Sequence, residues 1–371
     1  MSVFTHLKQD LAHLRREPLL ALFALLALVL ALADPHPAGA WLQWLNVPTL
    51  AGLTGLMMAI AGIQDSGLVQ HGARWWLARG HSTRTMALTL VMASAALATV
   101  LTNDVSLFLI VPLTLALGGD GRLPLGRLVI LEAFAVNAGS TLSPIGNPQN
   151  LLLWQASGLD FVAYLRAMAP AALIMLGLTL LLAWWWISAK ATPRVSSIAV
   201  PSLHRGLGLG SIAALAGMVL ALEYGHPLMG VGALLIVFAL GRPVILRRVD
   251  WWLLATFAAI FLALGHLSVW PPLLGWLTRL HLDDPTSLYL TGILGSQLIS
   301  NVPASVLLVH HTPLTTTLAI AANVGGYGCV IGSLANLIAL RLARGEVTMA
   351  QFHRASLPFL LLVGVLVYLT L

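Results

Sequence analysis

Two short polar motifs occupy matching places in an otherwise apolar chain. The first is Thr-Asn-Asp at 102–104 and the second is Ser-Asn-Val at 300–302, at an offset of 198 residues. Each joins a hydroxyl group to a side-chain amide, so each offers both donors and acceptors of hydrogen bonds. Neutral groups of this kind suit a polar solute that must be bound and then released. We predict that the two tips contact substrate through Thr102, Asn103, Ser300 and Asn301.

Two longer segments, 135–151 and 321–337, form a second matched pair at a constant offset of 186. Ala, Asn, Gly, Ile, Gly, Asn and Leu recur in register between them. The first segment cannot be continuous α-helix, because its prolines lack backbone donors and its glycines favour non-helical angles. Inside a bilayer, such backbone survives only where protein or a water-filled cavity satisfies it. We therefore predict two interrupted helices around a common cavity.

The residues of these breaks divide into two predicted roles. Small polar residues inside the breaks are expected to face the substrate, whereas residues that stop, restart or bend the helix are expected to be structural. The predicted substrate-binding residues are Ser140, Thr141, Asn147, Gly325, Gly326 and Ser333. The predicted structural residues are Asn137, Gly139, Pro144, Gly146, Pro148, Asn150, Asn323, Gly332 and Asn336.

A simpler interpretation of each break is also available. Glycine and proline can merely kink a membrane helix, and asparagine and serine can join helices by hydrogen bonds. One break alone would not separate the two interpretations. Two matched breaks together with two matched tips favour a binding site.

Acidic residues within apolar segments are costly and commonly functional. Asp104 belongs to the first tip, and we interpret it as a site for a coupling ion or proton, with a structural hydrogen bond as the alternative. Glu132 precedes Asn137 on the same segment and is a second candidate for coupling.

The composition excludes a soluble protein. Hydrophobic residues make up 58% of the 371 residues and charged residues only 9%, whereas soluble domains carry about 25% charged residues. A single cysteine excludes a disulfide framework, and the twelve histidines show no metal-ligand spacing. We expect no metal and no cofactor, apart from Na⁺ or H⁺ as a coupling ion.

The charge distribution predicts the membrane orientation. Seventeen of the 19 Lys and Arg residues fall in connections that share one side if the N-terminus is cytoplasmic. This agrees with the positive-inside rule and accounts for the net charge of +6 without a nucleic-acid partner. The segments 85–117 and 286–309 must then each return to their own side. Two full crossings or one re-entrant hairpin satisfy this requirement equally.

These observations together predict an all-α polytopic membrane protein built from two repeats of inverted topology. The N-terminal repeat spans 1–190, with a hairpin at 85–117 and a broken helix at about 126–156. A cytoplasmic linker spans 191–205. The C-terminal repeat spans 206–371, with a hairpin at 286–309 and a broken helix at about 314–343. Inverted repeats with interrupted helices at matching places indicate a secondary transporter.

The motifs resemble those of the ion transporter superfamily, which groups arsenite-efflux permeases, NhaD-type antiporters, silicon-efflux carriers and divalent-anion/sodium symporters. The likeness covers nearly the whole chain and is strongest to the YbiR-type anion permeases of bacteria. It rests on the two tips, on Pro-Ile-Gly-Asn-Pro-Gln-Asn at 144–150 and on Gly-Ser-Leu-Ala-Asn at 332–336. The resemblance implies a scaffold domain and a transport domain in the inner membrane. It also implies two re-entrant hairpins, elevator-like alternating access and coupling to protons or sodium.

The same motifs favour some classes of substrate over others. The tips differ from the Ser-Asn-Thr tips of dicarboxylate carriers, and the Asn-Pro-Gln-Asn run is similar to the silicon-efflux branch. A small anion or weak oxyacid resembling arsenite or silicate is therefore the first expectation, and sodium-coupled uptake of a dicarboxylate or citrate is the alternative. An intramembrane enzyme is disfavoured because the chain has no His-Glu-x-x-His or Gly-x-Ser-x-Gly motif. A channel is disfavoured by the inverted repeat, and a homodimer stays open.

Overall fold

The structure, a computed structural model, describes residues 17–77, 82–117, 123–189, 202–343 and 345–371. Every regular element within these residues is helical, so the all-α prediction is confirmed. Most of the predicted linker, 191–205, lies outside the described residues. Seven of the described helices are long and apolar enough to cross a membrane.

The N-terminal half consists of nine described helices, several of which are too short to cross a bilayer alone. Their bounds are α1 (Pro18–Ala33), α2 (Ala38–Trp44), α3 (Val47–Asp65), α4 (Leu68–Leu77), α5 (Thr83–Leu101), α6 (Asn103–Leu117), α7 (Leu125–Leu142), α8 (Pro148–Ser157) and α9 (Phe161–Trp186).

The C-terminal half follows the same order from its hairpin onward. Its described helices are α10 (Arg205–Glu223), α11 (Pro227–Gly241), α12 (Val244–Arg248), α13 (Trp251–Val269), α14 (Pro271–Leu277), α15 (Pro285–Ile299), α16 (Asn301–Leu308), α17 (Thr315–Gly325), α18 (Leu334–Leu342) and α19 (Met349–Tyr368). The pairs α5–α6 and α15–α16 are the two hairpins, and α7–α8 and α17–α18 are the two broken helices.

Helix packing repeats between the halves. Within each half the first hairpin arm packs on the first part of the broken helix, as α5 on α7 and α15 on α17. Across the halves the second arm of each hairpin packs on the far part of the other broken helix, as α6 on α18 and α16 on α8. The two broken helices are thus enclosed between the two hairpins.

A second group of helices packs beside this centre. Helix α1 packs along α13, and α3 packs along α10 and α11. Asp65 at the end of α3 accepts a 2.8 Å ion-pair contact from Arg248, which fixes α3 to α12. This ion pair gives the acidic residue at the helix end a cationic partner.

Glycines let the hairpins approach the broken helices closely. A Cβ at Gly139 would collide with the backbone of Ala95 in α5, and a Cβ at Gly325 would collide with the side chain of Ser296 in α15. The two glycines are equivalent positions of the repeat, so both halves use the same means of bringing an arm against a break.

Candidate functional site

The two hairpins turn at residues in a backbone conformation that favours glycine. Thr102 has φ 86° and ψ 152°, and Ser300 has φ 76° and ψ 155°. Side chains other than glycine rarely occupy this region, at a cost of about 1–3 kcal/mol each, and such residues concentrate at functional sites. The strain is therefore matched in the two halves, at the two tips that the sequence predicts to contact substrate.

The tip asparagines are buried and hold the first turn of the second hairpin arm. The Asn103 Oδ1 accepts a 2.9 Å bond from the backbone N–H of Asp104, and the Asn301 Oδ1 accepts the equivalent 2.9 Å bond from Val302. The backbone N–H of Asn103 also donates to the carbonyl of Gly146 at 2.9 Å, which joins the first tip to the first break.

The asparagines that bracket the breaks bond to each other across the two halves. Asn137 Nδ2 donates to Asn336 Oδ1 at 3.1 Å, and Asn323 Nδ2 donates to Asn150 Oδ1 at 2.6 Å. Because Asn137 is equivalent to Asn323 and Asn150 to Asn336, the two bonds are related by the repeat. All four side chains are buried. Their amides join the two broken helices into one network.

The restart of each broken helix is also matched. Asn147 caps α8 by accepting the N–H of Asn150 at 2.9 Å, and its Nδ2 donates to Asn323 at 2.8 Å. Its equivalent, Ser333, precedes α18 and donates to Asn137 at 3.2 Å. Each helix start therefore bonds to the opposite half.

Asn150 and Asn336 also bond carbonyl groups that the breaks release from the helices. Asn150 Nδ2 lies 2.9 Å from the Ser140 carbonyl and 3.1 Å from that of Ser143. Asn336 Nδ2 donates to the carbonyl of Gly326 at 2.7 Å. These bonds are of the kind that the structural role of the bracketing asparagines requires, and that role stays a prediction.

Several predicted substrate contacts are bonded inside the protein here. The hydroxyl of Thr141 donates to the carbonyl of Asn137 at 2.7 Å, and that of Ser140 donates to the same carbonyl at 3.2 Å. Both residues are fully buried, and Asn147 and Ser333 are nearly so. Their direct contact with substrate stays a prediction. For Ser140 and Thr141 it would require each hydroxyl to exchange its bond to the Asn137 carbonyl in the same helix for a bond to the solute.

The remaining predicted break residues shape the backbone. Pro148 is the first residue of α8, where its missing N–H has no helical partner to lose. Pro144 lies in the non-helical segment 143–147, and a Cβ at Gly146 would collide with the backbone of Ser140. A Cβ at Gly332 would lie 2.9 Å from the carbonyl of Gly325.

In each candidate coupling residue, one carboxylate oxygen makes no hydrogen bond to the described residues. Asp104 and Glu132 are buried, and Oδ1 of the first and Oε2 of the second have no hydrogen-bond partner among the described residues. The other oxygen of Glu132 accepts the hydroxyl of Thr114 from α6. Glu132 therefore lies between the first hairpin and the first broken helix, well inside the protein.

Two residues that bond the first hairpin arms to the breaks were not found by comparing the two halves of the sequence. Thr99 donates to the carbonyl of Gly139 at 2.9 Å, and Gln297 donates to the carbonyl of Gly325 at 2.7 Å. They are equivalent positions, 198 residues apart, each four residues before a tip asparagine. Matching by identity missed them because one is Thr and the other Gln, although their offset equals that of the tips.

Gln149 is a further candidate. It is 1% exposed, and neither its amide nitrogen nor its amide oxygen has a partner among the described residues. A buried amide without partners costs about 1–3 kcal/mol, so it is expected to bind something in another state. Its position in the Asn-Pro-Gln-Asn run is the sequence feature that could have indicated this residue.

The assembled region is a neutral polar centre to which both matched segments, 135–151 and 321–337, contribute. It consists of amides, hydroxyls, released carbonyls and the N-terminal ends of α8 and α18, and its acidic groups lie beside it on α6 and α7. Interrupted helices of this kind form the substrate and ion sites of secondary transporters. The fold and this centre together define a membrane transporter rather than an enzyme.

The chain belongs to the citrate transporter family CitMHS, whose model matches residues 11–312. It is 40% identical over 357 residues to the inner membrane protein YbiR of Escherichia coli strain K12, covering 94% of this chain and 95% of that one. It is 27% identical over 138 residues to a silicon efflux transporter of Oryza sativa subsp. japonica, covering 37% of this chain and 28% of the relative.

The fold also has a solved counterpart. The YdaH transporter of Alcanivorax borkumensis, described as having an unusual topology, matches with a TM-score of 0.54 at 16% sequence identity. The match covers 88% of this chain and 84% of that one. This match shows the fold, whereas the family match, the likeness to an inner membrane protein and the seven apolar helices identify a multi-pass inner-membrane transporter of the ion transporter superfamily, as the sequence motifs indicated.

Proposed function

We propose that this protein is a secondary active transporter for a small weak oxyacid of the arsenite or silicate type. The solute would bind between the two tips and the two breaks. Alternate exposure would follow an elevator-like movement of the hairpins and broken helices against the helices packed around α1, α3, α10, α11 and α13.

The observation that carries this proposal is the chemistry of the central network. The four bracketing asparagines, the capping Asn147 and the unpartnered Gln149 are all neutral amides. Amides both donate and accept hydrogen bonds, and so do the hydroxyl groups of an undissociated oxyacid. A multiply charged carboxylate is ordinarily bound by Arg in a bidentate contact, and the network and the two tips contain no Arg or Lys. The likeness to a silicon efflux transporter supports the same substrate class.

The second candidate is sodium-coupled uptake of citrate or a dicarboxylate. The family match favours it, because the family is described as citrate transporters. Helix N-termini carry partial positive charge that can hold a carboxylate, and α8 and α18 both begin at the centre. Bound sodium ions would have to supply the remaining positive charge.

Coupling is proposed to depend on Asp104, with Glu132 as a second group. Each has an oxygen without a partner beside the centre, where a proton or a sodium ion could be held. A carboxylate buried in this way is stabilised when it is protonated or paired with a cation. Return of the empty carrier would then require release of the ion.

Thermal stabilisation of the purified protein tests the substrate class. Arsenite, antimonite and silicate are compared with phosphate, sulfate, citrate and succinate, each with and without sodium. A ligand at 100 times its Kd stabilises by about 2.7 kcal/mol, so even weak binding is measurable at high concentration. The proposal expects stabilisation by at least one of the first three solutes and by none of the organic acids.

Gln149→Leu is the matched variant for this experiment, because leucine is close to glutamine in size and the change removes a buried amide that has no partner among the described residues to lose. It should retain or increase the stability of the ligand-free protein and lose the stabilisation by the oxyacid. Stabilisation by citrate or succinate in place of the oxyacids would establish the second candidate. Stabilisation by none of the seven solutes would contradict both.

A further inference from the structure

Three side chains that could bind a metal ion meet away from the central network. Asp34 and His36 follow the end of α1, and His266 lies in the last turns of α13. One ligand atom from each can be chosen so that all three lie within 4.8 Å of one another. The sequence shows no metal-ligand spacing because the set combines a two-residue spacing with a residue 230 positions further on.

The distances fit the coordination of a small transition-metal ion. Asp34 Oδ2 lies 3.2 Å from His36 Nε2 and 3.4 Å from His266 Nε2. Zinc binds nitrogen and carboxylate oxygen at about 2.0–2.2 Å with tetrahedral angles, which places neighbouring ligand atoms about 3.4 Å apart. Two edges of the required tetrahedron are therefore present.

The local sequence holds these groups in place. Pro35 and Pro37 flank His36, and each fixes its own φ, so the segment that carries Asp34 and His36 has few alternative conformations. The ring of His266 is completely buried, and it stacks on Trp44 with ring centroids 4.8 Å apart. Gly265 permits this approach, because a Cβ there would lie 2.6 Å from Trp44. A preorganised ligand set loses little entropy when it binds an ion.

We infer that Asp34, His36 and His266 form a site for a divalent transition-metal ion, with Zn²⁺ as the best fit. Two imidazoles and one carboxylate are ligands that Zn²⁺ prefers, whereas Mg²⁺ and Ca²⁺ prefer oxygen ligands. Asp34 and His36 are about one-third exposed, so the ion can enter from solvent and keep a water molecule as its fourth ligand.

The site would join the two halves of the chain through residues that belong to neither the tips nor the breaks. Asp34 and His36 belong to the N-terminal half and His266 to the C-terminal half, and the helices that carry them pack along each other. A bound ion would fix α1 to α13. We therefore assign the metal a stabilising role in the helices that surround the moving centre, and this inference does not depend on the identity of the substrate.

Calorimetric titration with ZnCl₂ tests the site, using full-length protein purified without a polyhistidine tag and stripped with a chelator. The expected result is one Zn²⁺ per chain and a higher Tm. Loss of even an outer-shell partner weakens metal binding by about 10–100-fold, so His36→Ala should weaken it by at least that factor. Co²⁺ should give tetrahedral visible absorption bands that His36→Ala abolishes.

Two further variants keep the test decisive. His310→Ala/His311→Ala removes another histidine pair, and it should leave the stoichiometry and the Co²⁺ bands unchanged. Asp34→Asn keeps the shape of the carboxylate and should weaken Zn²⁺ binding without loss of folding. Absence of Zn²⁺ binding by the wild-type protein, or binding that persists unchanged in His36→Ala, would overturn the inference.

Discussion

Single asparagine side chains replace missing backbone hydrogen bonds at the centre of this protein. A helix that stops inside a membrane leaves carbonyl groups without partners, and water is excluded from most of the surroundings. Asn150 reaches three such carbonyl groups in the first break, and Asn336 reaches two in the second. The short amide side chain provides the donors while its oxygen bonds to the opposite half.

Replacement of Asn150 or Asn336 by alanine should destabilise the ligand-free protein. Each change leaves buried carbonyl groups unpaired, which costs about 1–3 kcal/mol in the free energy of unfolding. The Tm of each purified variant measures this effect. Gln43→Ala, which removes an exposed amide on α2, should change the free energy of unfolding by no more than about 0.5 kcal/mol. Unchanged Tm values for both asparagine variants would remove the structural role.

Asp104→Asn should separate coupling from folding. The change keeps the side-chain shape and removes the charge, and Oδ1 has no partner among the described residues to lose. The variant should fold and bind substrate, but its transport should no longer respond to an imposed proton or sodium gradient. Transport in proteoliposomes under each gradient measures this, with the exposed Asp283→Asn as the control. Wild-type gradient response in Asp104→Asn would make Asp104 a structural residue.

At the scale of the elements, the local pattern predicts the interruptions but not their contacts. Proline, glycine and asparagine interrupt the α-helix at 143–147, and glycines interrupt it at 326–333, where a short 3-10 turn spans Val330–Gly332, because these residues act on their own backbone. The bond between Asn147 and Asn323 depends on how α8 docks against α17, which no local spacing encodes. The bonds of Ser140 and Thr141 to the Asn137 carbonyl are different, because they are local and run three and four residues back along α7. The sequence analysis assigned both hydroxyls to the substrate although this local alternative was open to them.

We expect the backbone of both hairpin tips to be strained, and we expect this strain to be retained because the tips are needed for transport. Thr102→Gly and Ser300→Gly remove the side chain from a conformation that glycine adopts freely, so each should raise the stability of the ligand-free protein by about 1–3 kcal/mol. Transport should slow because a hydroxyl contact is lost and the tip is less rigid. Tm and initial transport rate are measured together.

His281 provides the control for the tip variants. It also has a positive φ, 49°, and it lies on the surface in the connection before α15, outside both tips. His281→Gly should leave the transport rate unchanged. A tip variant that is less stable than the wild type would show that the tip conformation is not strained.

At the scale of the whole molecule, each half completes the site of the other. The second arm of each hairpin packs on the far part of the opposite broken helix, and the bracketing asparagines pair across the halves. A movement of one hairpin therefore acts on both breaks. The repeat would then couple the movements of the two hairpins, provided that the hairpins open to opposite sides of the membrane.

Opposite opening of the hairpins can be tested by cysteine labelling in intact cells, after Cys329 is replaced by serine. Single cysteines at Ser82 and Leu123 flank the first hairpin, and single cysteines at Asp283 and Pro313 flank the second; all four positions are exposed or partly exposed. An impermeant maleimide should label Asp283→Cys and Pro313→Cys from outside, and the other two only after permeabilisation, because the Lys/Arg-rich connections are expected inside. The cysteine-free protein controls for background. If the two ends of one hairpin label from opposite sides, that segment crosses the membrane. If both hairpins label from the same side, the two halves are parallel and the predicted inverted repeat is wrong.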